Sequence, residues 1–340
     1  VWAYSIFFPV VEILSSTSIA LLIWWGLRSI GTGHEDPYAL FGEVLAFILY
    51  IQMLYRPIRQ LADRFNVLQM GMVGSERVFE VLDTEASLQI EGNAVQTRLN
   101  GDIRFENVWL AYSGDEYVLK NIDLHVSEGQ TAAFVGSTGA GKSSIINLVG
   151  RFYEFQKGRI TVGGVDIRQI EPEFLREHIS VVQQDVFLYS DSIHNNISLK
   201  NPQITEADVV AASKAIGAHD FIMQLPGGYD FNVAERGRML SVGQRQLISF
   251  IRAYVHQPEI LILDEATSSI DSESEALIQR AQEVLTEGRT SLVIAHRLST
   301  IQNADVIYVL DKGRIVESGR HEELLEEGGR YKRLYDLQFS

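Results

Sequence analysis

The chain of 340 residues contains no cysteine, which excludes disulfide staples and thiolate metal sites. It also has no run of basic residues. Asp and Glu number 44 against 29 Lys and Arg, a formal net charge of −15, whereas a general nucleic-acid binder needs clustered cations for its phosphate contacts. No nucleic-acid partner is therefore expected. A basic start is missing as well, and the first apolar segment is too long for a signal peptide and is followed by a second. With no initiator Met and a first residue, Val1, already inside an apolar helical pattern, the chain is read as the C-terminal part of a longer polypeptide. What it does have is apolar residues, 46% of the total, enough for a substantial core and two domains of ordinary size.

Residues Ala3 to Ile30 carry only Glu12 and Arg28 as charges, and at about 20 residues per span they are long enough to cross a hydrocarbon layer of ~30 Å. The polar turn Gly31 to Pro37 has no Lys or Arg, while Arg56, Arg59 and Arg64 follow the second apolar stretch. That bias places the turn outside and the rest of the chain in the cytoplasm. From Tyr38 a helical pattern runs to about Leu82, apart from Pro57. A helix of that extent is about 65 Å long, so much of it must stand clear of the bilayer. Beyond Tyr55 the pattern turns amphipathic, as a cytoplasmic stalk requires. Glu12, Glu43 and Gln52 lie in apolar surroundings and are expected to face protein or a wet cavity, in structural pairs before any substrate role. The expected division is a partial transmembrane domain at 1–82, a polar linker at 83–100 and a soluble domain at 101–340.

In the soluble part, strands are expected at Ile103–Tyr112, Val118–Val126, Thr131–Val135, Ile179–Val182, Ile260–Leu263, Ser291–Ala295 and Val306–Leu310, with helices between several of them. That alternation implies a partly parallel α/β sheet preceded by antiparallel strands. Between the third strand and a helix stands Gly136-Ser137-Thr138-Gly139-Ala140-Gly141-Lys142-Ser143-Ser144, which fits the phosphate-binding pattern G-x-x-x-x-G-K-[ST]. Its backbone N–H groups can wrap a phosphate chain against a helix N-terminus. Lys142 would reach the β- and γ-phosphates, the Ser143 hydroxyl would ligate Mg²⁺, and Ser144 would sit near the α-phosphate. Downstream, the apolar strand Ile260–Leu263 ends in Asp264 and Glu265. A carboxylate at such a strand tip can hold Mg²⁺, usually through water, and its neighbour can orient or deprotonate the attacking water.

With Leu240-Ser-Val-Gly-Gln-Arg-Gln246 placed between these two elements, the region from Gly101 onward resembles the nucleotide-binding domain of an ATP-binding cassette transporter. The resemblance implies an α-helical transmembrane segment followed by an α/β P-loop NTPase domain with an antiparallel β subdomain and a helical subdomain. It also implies that Ser241, Gly243 and Gln244 of one domain cap the ATP held by another. Tyr112 matches the aromatic that stacks on adenine, and Gln184, chosen over Gln183 because Asp185 follows, matches the glutamine that senses Mg²⁺ and the membrane domain. Asp271 matches the loop that crosses the dimer, His296 matches the γ-phosphate histidine, and Glu235-Arg-Gly237 resembles the segment that touches the membrane domain in exporters. One departure is Val242, where the commonest pattern has glycine; a positive φ there would strain a β-branched residue.

Residues Phe41 to Pro57 and Ser75 to Asp83 look like the last transmembrane helix and stalk of an exporter half, which implies further helices beyond the two spans here. The resemblance therefore implies an ATP- and Mg²⁺-dependent ATPase in the cell (inner) membrane, its nucleotide domain cytoplasmic. Its partners would be a second half-transporter (the same or different), membrane lipid and an unidentified transported substrate. A membrane-anchored cassette ATPase of the soluble type, or a regulatory or channel-like member gated by ATP, is the alternative.

Overall fold

The computed structural model describes residues 2–31, 37–84, 99, 101–264, 272–295 and 297–339. The chain divides into two compact units, Val1–Ala86 and Ser87–Ser340.

The first unit consists of helix α1, Trp2–Gly31, and helix α2, Pro37–Asp83, within a residue or two of the sequence expectation. Pro9–Gly31 and Tyr38–Asp83 are each long and apolar enough to cross a membrane. At 47 residues α2 extends about 70 Å. Val11, Ser15, Gly26 and Leu40 are buried, while Trp24, Trp25, Phe41 and Phe47 are exposed, the reverse of a water-soluble helix pair. A Cβ on Gly26 would stand 2.9 Å from a Val44 methyl, so the bare glycine is what lets the two helices approach.

In the second unit the chain runs β1 (Ile103–Ala111), β2 (Tyr117–Val126), β3 (Thr131–Gly136), α3 (Lys142–Val149), β4 (Lys157–Val162), β5 (Val165–Asp166), α4 (Pro172–Glu177) and β6 (Ile179–Val182). A helical stretch follows: α5 (Ile193–Ser198), α6 (Glu206–Ala215), α7 (His219–Gln224) and α8 (Val242–Val255). The chain then returns through β7 (Ile260–Asp264), α9 (Ser272–Thr286), β8 (Thr290–Ile294), α10 (Leu298–Gln302), β9 (Val306–Asp311), β10 (Arg314–Gly319), α11 (His321–Glu327) and α12 (Arg330–Phe339).

Two sheets result. One is antiparallel, in the order β2-β1-β4-β5; the other runs β10-β9-β3-β8-β7-β6, with β9 to β6 parallel and the edge strand β10 antiparallel. Alternation along the parallel strands sends Ala133, Val135, Leu261 and Leu263 into the core shared with the helical stretch. Ala132, Phe134, Ile260 and Ile262 go into the core shared with the antiparallel sheet and α3. Both faces are thus covered, as the near-continuous apolar runs of β3, β7 and β8 require.

The three strands that the sequence pattern does not reveal, β4, β5 and β10, have a common cause. Strand β4 opens on exposed charged residues, β10 alternates only between exposed and half-buried positions, and β5 is two residues long. Their order comes from antiparallel partners, not from apolar content.

Candidate nucleotide site

The parallel register brings the carboxyl ends of β3, β8, β7 and β6 to one edge: Phe134 pairs with Ile294, Ile294 with Asp264, and Leu263 with Val182. Ligands of open α/β sheets bind at that edge. The ends of β3 and β7 are separated only by β8, hence by two strand spacings, about 10 Å.

The glycine loop bridges β3 and α3. Gly136 has φ 153°, Gly139 φ 80° and Gly141 φ 107°, and Gly141 serves as N-cap of α3 without any side-chain cap. Gly141 thus offers the first-turn N–H groups of α3 no side-chain cap, and this is the kind of helix end that takes an anion. The loop is held from behind, with the Gly313 N–H donating to the Ala140 carbonyl at 3.0 Å and the Lys120 N–H to the Gly313 carbonyl at 2.8 Å. Lys142 folds over it, its Nζ donating to the carbonyls of Gly136 at 2.7 Å and Ser137 at 3.1 Å. Burial pushes the Lys142 ammonium below the ordinary lysine range, and the Asp264 carboxylate partly restores it. Lys142 and Asp264, 122 residues apart in sequence, therefore act on one another across this edge.

Ser143 is exposed at the start of α3, whereas Ser144 is buried and its Oγ accepts a hydrogen bond from the Tyr112 hydroxyl at 2.8 Å. Tyr112, just past β1, is 46% exposed and meets Tyr153 edge to face at 4.7 Å between centroids. The expected adenine-stacking residue is thus tied directly to the first turn of the phosphate helix, a link that no local pattern announces. Tyr153 has no expected role in the sequence reading.

Ser241 caps α8 with a reciprocal box. Its Oγ accepts from the Gln244 N–H at 3.2 Å and the Gln244 side chain accepts from the Ser241 N–H at 3.0 Å. The helix begins at Val242. Val242 is its first residue and has no positive φ, so the anticipated strain is absent. Gly243 is buried. Gln184, past the end of β6, lines a groove of about 670 Å³ together with Asp185, Phe187, Arg236, Arg245 and Gln246. Arg236 belongs to the Glu235–Gly237 turn, so two segments expected to meet a membrane domain share one groove. Glu265, Asp271 and His296 lie outside the described residues; Asp264 and Ala295 are the described residues beside Glu265 and His296.

A glycine cradle closed by a buried lysine, facing a strand-tip carboxylate at the carboxyl edge of a parallel sheet, defines a P-loop nucleotide-binding domain. Residues 119–268 match the family model described as ABC transporter. The chain is 46% identical over 331 residues to the ABC transporter ATP-binding protein exp8 of Streptococcus pneumoniae, covering 97% of this chain and 56% of that protein. It is 43% identical over 332 residues to the ATP-dependent lipid A-core flippase of Syntrophus aciditrophicus, covering 97% and 54%. The solved structure of a bacterial Atm1-family ABC exporter with ATP bound matches with a TM-score of 0.73 at 33% identity, over 98% of this chain and 57% of that one. Residues 119–268 are an ABC transporter domain, and the chain, similar to ABC transporter proteins over nearly all of its own length, spans about half the length of the curated relatives it matches.

Proposed function

We propose that this chain is the ATP-binding and ATP-hydrolysing part of an exporter half, with a membrane portion at 1–82, a linker at 83–100 and a nucleotide domain at 101–340. The observation that carries the reading is Lys142 lying over the Gly136–Gly141 cradle within electrostatic reach of Asp264. Tyr112 would stack on the adenine, while the loop from Gly136 to Gly141 and the N–H groups of α3 would take the polyphosphate. An exposed Ser143 hydroxyl, the Asp264 carboxylate and the Gln184 amide are all oxygen donors, the kind of set Mg²⁺ takes; bound there, the ion would neutralise charge on the phosphates.

Glu265 would orient and deprotonate the attacking water, and His296 would stabilise charge developing on the γ-phosphate. Ser241, Gly243 and Gln244 would cap the nucleotide of a second half-transporter, and Asp271 would lie at the junction. Because ATP touches both domains only when they close, its binding favours the closed pair, and hydrolysis reopens it. The stalk would carry that motion to the membrane portion, which moves a substrate across the bilayer with the nucleotide domains in the cytoplasm.

Replacing Glu265 by Gln in the membrane-reconstituted protein tests this. ATP binding should be retained and turnover should fall at least about tenfold, the lower end of what general bases contribute. Unchanged turnover would reject the assignment.

A further inference from the structure

Gln246 has no part in the reading above, yet it is 6% exposed and its side-chain oxygen Oε1 is buried with no hydrogen-bond partner. It lies one turn into α8, the helix that Ser241 caps. Its side chain borders two spaces. On one side is the groove with Gln184, Arg236 and Arg245. The other is a small cavity of about 10 Å³ that Gln246 lines together with Val182, Phe250, Leu263, Asp264, Gln282 and Arg297. That volume admits the centre of a single water molecule.

The Gln246 amide oxygen has no donor, and Asp264 borders the same small cavity alongside Arg297 and Gln282; a molecule bridging the amide oxygen and the carboxylate, both acceptors, would have to donate to each. Water does so, and it also relieves the buried carbonyl, which is costly to leave without a donor. We infer that Gln246 is a positioning residue: through one internal water it holds the Asp264 carboxylate in the orientation that the metal site needs, linking α8 to the tip of β7. The inference rests on the nucleotide reading above, because it gives Asp264 that role. It adds a path inside one domain. A shift of α8, whose N-terminal end would cap a partner's nucleotide, would reach the domain's own metal carboxylate through Gln246.

A purely structural Gln246 behaves otherwise. Exchanging a buried, unpartnered amide for an apolar side chain of similar length is neutral or favourable for folding and leaves no functional trace. The decisive variant is Gln246→Met, with Gln246→Leu as a second in case one of them packs poorly. Binding of Mn²⁺, followed by its electron paramagnetic resonance spectrum in the presence of a non-hydrolysable ATP analogue, reads the metal site without turnover. In both variants the thermal midpoint should stay at or above that of the parent protein, and metal-free nucleotide affinity should stay within about twofold. The Mn²⁺ dissociation constant should rise at least threefold, and kcat should fall about fivefold or more with little change in KM. Parent-like Mn²⁺ affinity in a variant that keeps its thermal midpoint overturns the inference. A parent protein that binds neither nucleotide nor Mn²⁺ overturns the nucleotide reading, and this inference with it.

Discussion

Gly136 and Gly139 belong to one loop and both have positive φ, but their surroundings differ, and that difference can be measured. A Cβ at Gly139 would meet nothing within 4 Å, whereas at Gly136 it would be driven into the backbone carbonyl of Leu310. The Leu310 carbonyl cannot swing away as a side chain would, because Gly136 and Leu310 are the last register pair between β3 and β9. Alanine at either position incurs the left-handed penalty, roughly 1–2 kcal/mol, offset by about 0.5 kcal/mol from the stiffer unfolded chain. At Gly136 the end of the β3–β9 pairing must also open, forfeiting a hydrogen bond of about 1 kcal/mol and some packing.

Gly139→Ala should therefore cost about 1 kcal/mol and Gly136→Ala about 3 kcal/mol. At about 2–4 °C per kcal/mol for a domain of this size, the thermal midpoints should drop by about 2–4 °C and about 6–12 °C. The displacement also moves the Gly136 carbonyl that holds Lys142. ATP affinity, measured by titration calorimetry on the detergent-solubilised protein, should weaken at least about tenfold in Gly136→Ala, a loss of about 1.4 kcal/mol. Midpoints were each variant to unfold at the same temperature, scanned nucleotide-free at one fixed rate, would refute the assignment of strain to the β3–β9 contact.

Two further outcomes are expected. Tyr112→Phe removes the hydroxyl bonded to Ser144 but keeps the ring, so ATP affinity should stay within about threefold, whereas Tyr112→Ala loses a stacking contact of about 1–3 kcal/mol and should weaken binding about tenfold or more; equal affinities for Phe and Ala in a fluorescence titration would place the adenine elsewhere. His256, at the end of α8, has its pKa pushed below the ordinary 6.5 by burial, with the Ile197 backbone hydrogen bond opposing and Arg252 reinforcing. The folded state then binds fewer protons than the unfolded chain, so stability is lost as pH falls from about 6.5 through the folded-state value. Denaturant melts at pH 7.5 and 5.5 should show a smaller acid loss for His256→Gln, and an unchanged loss would remove His256 from the account.

Much of this protein is legible in the residues themselves, and the reasons are local. Two apolar runs of membrane length, the G-x-x-x-x-G-K-S string after a short buried strand, and the apolar strand ending in Asp264 each state their conformation within one contiguous stretch of chain. What the sequence by itself determined is the order of elements and the chemistry each can offer. Proximity was decided by the tertiary fold alone, because it depends on which strands become neighbours: β8, from late in the chain, inserts between β3 and β7 and so brings Asp264 within electrostatic reach of Lys142. The Tyr112 to Ser144 bond, the groove shared by Gln184 and Arg236, and the cavity between Gln246 and Asp264 have the same origin. Each joins groups distant in sequence through packing that no periodicity encodes.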